Sequence, residues 1–343
     1  MRNTKLIVVL IVIVVICVAV ISSIKRQSHA VPRTSTADRS YAICVPYSSA
    51  PAWLLPTHLI KKMSEVTPGL NISLNGAPDG DSSHQIEELD QLILRKPNGI
   101  VVCASDPHAL VPTVNKAVSS GIPVVTIFND VVGSKRLTFI SAADRESARD
   151  LTQRILARMI KPQNGEPLEV LVCYNNPGMS VMEERLSGVK DVISTLSWVK
   201  IVGIVTNDTD DAKGAEAIGA ALEKNPNIKL IIGIDSRAAI GALSALKERA
   251  DRFPPGSVTV TGWDSDADVL QAIKEGKVAC TCAPNINYMV QLAISILESY
   301  NLGYLYPDQF RLKEMGLPVL PDQINIQQTY IDGTNVDGYL KTK

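Results

Sequence analysis

The stretch that most limits this chain is residues 98–130, NGIVVCASDPHALVPTVNKAVSSGIPVVTIFND. Residues 100–103 are an unbroken apolar run, the mark of a parallel strand covered on both faces. Ala104-Ser105-Asp106-Pro107 ends it. Asp106 is placed to cap a following helix, with Pro107 at its first position, where a missing N–H costs nothing. Leu110, Val114, Ala117 and Val118 keep helical spacing and predict the face turned to a sheet. Gly121 ends that helix, Pro123 stops it restarting, and residues 124–128 read as the next strand. In such a sheet ligands bind beyond the carboxyl ends of the strands. Ser105, Asp106, Asn129 and Asp130 all fall there.

The same alternation runs along the chain. Residues 41–45 read as a strand, followed by a loop holding Tyr47 and Trp53, then a helix over 54–66. A strand over 71–74 precedes a helix over 85–94, for which Ser82 or Ser83 is a cap. Residues 137–140 form a further strand, and Asp144 is placed to cap a helix reaching Met159. The pattern then restarts, with strands over 169–174, 199–205, 230–234, 258–263 and 278–282 and helices between them. A chain of 343 residues has room for two domains. The expectation is therefore an α/β protein of two doubly wound, Rossmann-like domains with a ligand in the cleft between them.

The first forty residues are different in kind. Residues 1–5 are a short tail, and 6–24 are almost wholly Val, Ile and Leu, just long enough to span a bilayer. Arg2 and Lys5 precede the run, and Lys25 and Arg26 follow it. A cleaved signal peptide has a small-x-small site available at Ser28-His29-Ala30. The length of the run, and the two charges standing before that site, favour an uncleaved transmembrane anchor. Ile16 stands where a lipoprotein at Cys17 needs a small residue. The charges flank both ends and do not set the orientation. A short N-terminal tail before a single span reads as inside, which puts the folded part outside the cytoplasm, on the cell membrane, and residues 25–40 read as a polar linker.

A formal net charge of −1 gives no basic excess for nucleic acid. Six cysteines include no C-x-x-C, and the four histidines are scattered, so neither a metal nor a cofactor is expected. Cys44 and Cys103 fall on strands expected to be neighbours, which leaves a disulfide between them open. No G-x-S-x-G, Walker loop or H-E-x-x-H is present. Gly80-Asp81-Ser82 has the look of an esterase block, but it follows a turn and has no histidine motif to pair with. An anchored hydrolase is thus a lesser alternative to a binding protein.

Four stretches together resemble the type I periplasmic binding proteins, in the branch that takes ribose, galactose, xylose and related sugars. They are GIVVCASDPHALVPTVNKAVSSGIPVVT, GIDSRAAIGALSALKE, VTVTGWDSDADVLQAIKEGKVACT and TYIDGTNVDGYL. Repressors of similar pattern carry a helix-turn-helix in front, where this chain has its apolar segment and linker. The resemblance implies three crossovers between lobes, placed near residues 141–144, 282–286 and 321–324. One lobe would then hold 41–142 plus 285–321, the other 143–284 plus 322–343.

The resemblance also implies site residues. Asp264, after Gly262-Trp263, matches the family aspartate that accepts from sugar hydroxyls. Asp235 stands where asparagine is usual. Asn129 and Asp130 fall at the polar site after GIPVV, with Phe128 where the first aspartate is common. Glu183 stands where an arginine is usual, and Pro284 or Asn285 where glutamine is. Trp53 and Tyr47 lie in the loop that stacks aromatics on the sugar ring, and Ser105 is at the third strand's end. A cleft lined by Asp130, Glu183, Asp235 and Asp264 would have acceptors in excess, suiting neutral polyols or a cation and repelling acids.

Two roles follow from the resemblance. One is a membrane-anchored sugar sensor that presents its closed form to a histidine kinase, which the uncleaved anchor favours. The other is the substrate-binding component of a sugar ABC importer, with a permease as partner. In both, hinge closure on a small sugar or polyol is the output.

Overall fold

A computed structural model describes residues 38–48, 53–77, 79–163, 165–175, 177–208, 210–305, 315 and 320–340. The apolar segment at 6–24, Cys17 and nearly all of the linker lie outside the described residues. Among the described residues, no helix is long and apolar enough to cross a membrane.

The first sheet is built from β1 (Arg39–Val45), β2 (Leu70–Gly76), β3 (Gly99–Val102), β4 (Val124–Ile127), β5 (Phe139–Ser141) and β11 (Gln323–Asn325). Its order is β11-β5-β4-β3-β1-β2, and every pairing is parallel. The central strands are short apolar runs because helices cover both faces; β3 and β4 are buried throughout. Those helices are α1 (Leu54–Val66), α2 (Ser82–Arg95), α3 (Val111–Ser119) and α9 (Ile286–Asn301). Along α2, Gln85, Leu89, Leu92 and Ile93 form the buried stripe. Its cap is Asp81, whose side chain accepts from the Ser83 N–H at 2.7 Å, one residue before the serines expected to serve. Asp106 accepts from the His108 and Ala109 N–H groups, so it caps a turn, and regular helix starts only at Val111.

The second sheet holds β6 (Leu168–Tyr174), β7 (Val199–Thr206), β8 (Ile228–Gly233), β9 (Thr259–Trp263), β10 (Cys280–Ala283) and β12 (Thr329–Asp332), in the order β12-β10-β9-β8-β6-β7. All pairings are parallel except β10 with β12, so this sheet is mixed. Its helices are α4 (Asp144–Arg158), α5 (Ser180–Ile193), α6 (Asp211–Lys224), α7 (Ala238–Lys247) and α8 (Ala267–Lys274), with a short α10 (Val336–Leu340) closing the described chain. Helices α4 and α5 approach so closely that a Cβ on Gly188 would press on the Arg145 carbonyl oxygen.

The two sheets are joined three times: after β5, after β10 and between β11 and β12. The third crossing falls at residues 326–328. That is beyond the 321–324 expected, because β11 pairs with β5 in the first sheet. Asp144 was expected to cap α4. Instead Ala143 takes the cap position in the left-handed region (φ 50°), and Asp144 is the first helical residue, its carboxylate turned to another partner. The five described cysteines are all buried free thiols, Cys44 and Cys103 among them.

Candidate functional site

The carboxyl ends of the strands gather the polar residues of interest. In the first lobe, the turn after β3 is held from below by Gln85, which is fully buried. Its Nε2 donates to the Cys103 carbonyl at 2.8 Å, and its Oε1 accepts from the Ser105 N–H at 2.8 Å. The Ser105 hydroxyl oxygen is itself buried without a partner, which leaves a donor and acceptor open at the strand's end.

The turns after β4 and β9 are built alike. Phe128 (φ 61°) and Asp264 (φ 64°) both sit in the left-handed region, which non-glycine residues adopt at a cost. The Phe128 N–H donates to Ile140 O, one strand over, and the Asp264 N–H donates to Cys282 O, one strand over. The second turn is locked further by the Thr281 hydroxyl, which donates to Asp264 O at 2.7 Å. Strain of this kind persists where the surroundings over-determine it, and here it aims the Asp264 side chain.

Asp264 is half-buried, and no described residue donates a hydrogen bond to its carboxylate. Burial pushes its pKa up to about 6; Arg185 nearby opposes the rise, and Asp266, Asp144 and Asp235 reinforce it. Asp235 is 1% exposed and already engaged. It accepts from Asn207 Nδ2 with both oxygens and from the Arg237 and Ala238 N–H groups at the start of α7. Burial still raises its pKa.

Arg185 is not among the site residues that the resemblance implies. It stands two residues after Glu183, on the buried face of α5, and is 2% exposed. Its Nε donates to Asp144 Oδ1 at 2.7 Å, its Nη1 to Ile234 O at 3.0 Å, and its guanidinium lies over the Trp263 ring at 4.4 Å. A signal for it exists: Val181, Arg185 and Val189 repeat at i, i+4, placing the arginine on the apolar stripe. Glu183 itself is exposed and accepts from the Gly178 N–H at 2.9 Å, closing the turn before its helix.

Other expected residues have partners of their own. Asp130 takes a two-pronged ion pair from Arg136, at 2.5 and 2.6 Å, and a bond from the Thr126 hydroxyl. Arg136 also reaches Asp322 O, so this pair anchors the approach to β11. Asn129 is half-buried, with its backbone carbonyl accepting from Ala104 N–H. Trp53 is packed in the first lobe's core, whereas Tyr47 is 51% exposed, with Gly80 laid against its ring. Asn285 caps α9, accepting from the Tyr288 N–H at 3.1 Å. The acceptor excess expected of the cleft is therefore smaller than the count of acids suggests: Asp130 is paired with Arg136, and Arg185 adds a cation.

Among the described residues no group of three or more His, Cys, Asp or Glu is placed to hold a metal ion. A groove of about 760 Å³ lies between α1 and β2, lined by Tyr41, Ile60, Ser64 and Ile72, away from the strand ends that carry Asp264 and Ser105.

A family model described as "Periplasmic binding protein domain" matches residues 41–303. The D-ribose/D-allose-binding protein of Pseudomonas aeruginosa is 30% identical over 234 residues, covering 65% of this chain and 70% of that protein. The ribose import binding protein of Bacillus subtilis is 26% identical over 213 residues, covering 62% and 66%. Among solved structures, a periplasmic ribose ABC transporter protein from Conexibacter woesei shares the fold, with a TM-score of 0.76 at 22% identity over 90% of this chain and 96% of that one. The arabinose-binding protein AraP of Geobacillus stearothermophilus does so with a TM-score of 0.75 at 23% identity over 88% and 99%. With its two lobes, its three crossings and these matches, the chain belongs to the periplasmic binding protein family, in its sugar-binding branch.

Proposed function

We propose that this protein is an extracytoplasmic receptor that closes its lobes on a small neutral sugar or polyol, and that it is not an enzyme. The observation that carries this reading is Asp264: a half-buried carboxylate in a strained turn, with no donor of its own. A group held that way is an acceptor waiting for hydroxyl donors, because an unmatched half-buried carboxylate is costly and a ligand hydroxyl relieves it. The Ser105 hydroxyl, at a strand end of the other lobe, adds an open donor and acceptor, while Arg185, buried and bonded to Asp144 and Ile234 O, sets the charge beside Asp264. Asn129 and Tyr47, after strands of the first lobe, serve as secondary contacts; Asp235, Glu183, Trp53, Asp130 and Asn285 have mainly structural partners.

For the output, two partners fit. The 19-residue apolar segment at 6–24, with charges on both flanks, favours a retained anchor and hence signalling to a membrane histidine kinase. The printed role of the Bacillus subtilis relative, an import binding protein, favours delivery to an ABC permease. The test of the ligand reading is a thermal-shift screen against pentoses, hexoses and polyols, repeated on Asp264→Asn. A midpoint raised by one sugar in the parent and not in the variant supports it. A flat screen against every sugar defeats it. Deletion of a neighbouring kinase or permease gene, scored by sugar-dependent transcription and by sugar uptake, separates the two outputs.

A further inference from the structure

Two of the three crossings end on one carboxylate. The first crossing, residues 142–143, leads straight into Asp144. The third, residues 326–328, ends at Gln328. The two are stitched together where they leave the first lobe, by the Ile326 N–H donating to Ser141 O at 2.8 Å. They are stitched again where they enter the second: Gln328 Nε2 donates to Asp144 Oδ1 at 2.9 Å, and the Gln328 N–H to the Ser147 hydroxyl oxygen at 3.3 Å. The same Asp144 oxygen takes the Arg185 Nε at 2.7 Å. All three side chains are buried: Arg185 is 2% exposed, Gln328 6% and Asp144 7%.

Arg185 in turn touches the strand ends that carry the ligand edge. It bonds Ile234 O, the residue before Asp235, and lies over Trp263, the residue before Asp264. The crossing side is strained and incompletely bonded. Ala143 is left-handed, and the Gln328 Oε1 is buried with no partner. A buried carbonyl oxygen left unpaired favours any movement of its segment that finds it a donor.

We infer that Asp144 and Gln328 are positioning residues that tie the Arg185 guanidinium to the hinge, so that movement of the first and third crossings is felt at the ligand edge of the second lobe, and a ligand there is felt at the crossings. The inference rests on the reading of the protein as a receptor that closes on a ligand. Gln328 need not touch the ligand; it acts through Arg185. The coupling is reciprocal, as linkage requires.

The test uses the full-length chain in detergent and two readouts. Trp263 is the only tryptophan left after Trp53→Phe and Trp198→Phe, and with no ligand present its emission reports the guanidinium stacked on it. Adding Gln328→Leu, which keeps the volume and removes the donor, is expected to shift that emission; Asp144→Asn is expected to shift it further. An emission unchanged by both substitutions overturns the inference. The second readout keeps all three tryptophans and titrates D-ribose, D-allose and L-arabinose calorimetrically. Gln328→Leu is expected to weaken a bound sugar at least tenfold, and to have no further effect in an Arg185→Lys background. Additive losses mean that Gln328 does not act through Arg185 and overturn the inference. If the parent binds none of the sugars, the receptor reading fails, and the Trp263 emission alone still decides whether Gln328 positions Arg185.

Discussion

Replacing Asp264 by Asn is expected to make the ligand-free protein more stable while abolishing sugar binding. Burial holds the Asp264 pKa at about 6, against an ordinary value of 3.8. The folded protein thus disfavours the ionised form. A carboxyl whose folded pKa lies above its unfolded one carries no penalty below the unfolded value, where both states are protonated. The penalty grows between the two and is complete above the folded value. At roughly 1.4 kcal/mol per pH unit, the gap amounts to about 3 kcal/mol at pH 7. Asparagine is isosteric, uncharged and at ease in the left-handed region that Asp264 occupies. Urea unfolding of Asp264→Asn is therefore expected to give an unfolding free energy above the parent's at pH 7.5, by up to about 3 kcal/mol, with the gain shrinking through pH 5 and gone by about pH 4. A variant less stable than the parent at pH 7.5, or a gain that does not depend on pH, refutes the reasoning. The first would show that the carboxylate has protein partners and holds the fold; the second would show that the gain does not come from its ionisation.

Four further outcomes follow from the same geometry. Sugar affinity of the parent is expected to fall as pH drops below about 6, approaching tenfold per unit, because the hydroxyls need the ionised Asp264; a flat calorimetric profile from pH 7.5 to 5 contradicts this. Arg185→Met leaves Asp144 buried with only Gln328, and is expected to cost about 3–5 kcal/mol in urea unfolding. Adding Asp144→Leu is expected to return most of it, and a double variant no better than the single one argues against a buried pair. Asp130→Ala is expected to lose stability by uncoupling Arg136 and to leave sugar affinity within about twofold; a loss of binding at unchanged stability would make Asp130 a ligand contact. The five described cysteines are buried, and burial pushes Cys44 and Cys103 to about 12, so none is expected to react with a thiol reagent at pH 8 until the protein is denatured. Mass spectrometry of the labelled native protein checks this.

Most of the architecture is readable from local pattern. Short apolar runs such as Gly99–Val102 and Val124–Ile127 mark buried parallel strands, and the helices between them keep a clear stripe. What escapes is long-range. Asp144 looks like a helix cap from its neighbours alone, yet its partner Arg185 is 41 positions away. Only the packing of α4 on α5 brings the two together. Arg185 is masked by Glu183 and Glu184 beside it, which suggest a solvated face, although the i, i+4 spacing with Val181 and Val189 puts it inside. The third crossing is misplaced for a similar reason: a three-residue strand, Gln323–Asn325, is too short to show a period, and its pairing with β5 decides which lobe it joins. The antiparallel Thr329–Asp332 is likewise fixed by its neighbour β10 rather than by its own composition. At the site, residue type at strand ends points to Asp264 and Ser105 as readily as to Asp130, and it cannot tell a spoken-for acid such as Asp130 from one without a donor.

The most direct measurement is a calorimetric titration of the purified protein with D-ribose, D-allose, L-arabinose and a set of neutral polyols, at pH 7.5, in the parent and in Asp264→Asn. The account predicts one-to-one binding of at least one of them to the parent and none to the variant. No binding to the parent, or equal binding to both proteins, would contradict a sugar site built on Asp264.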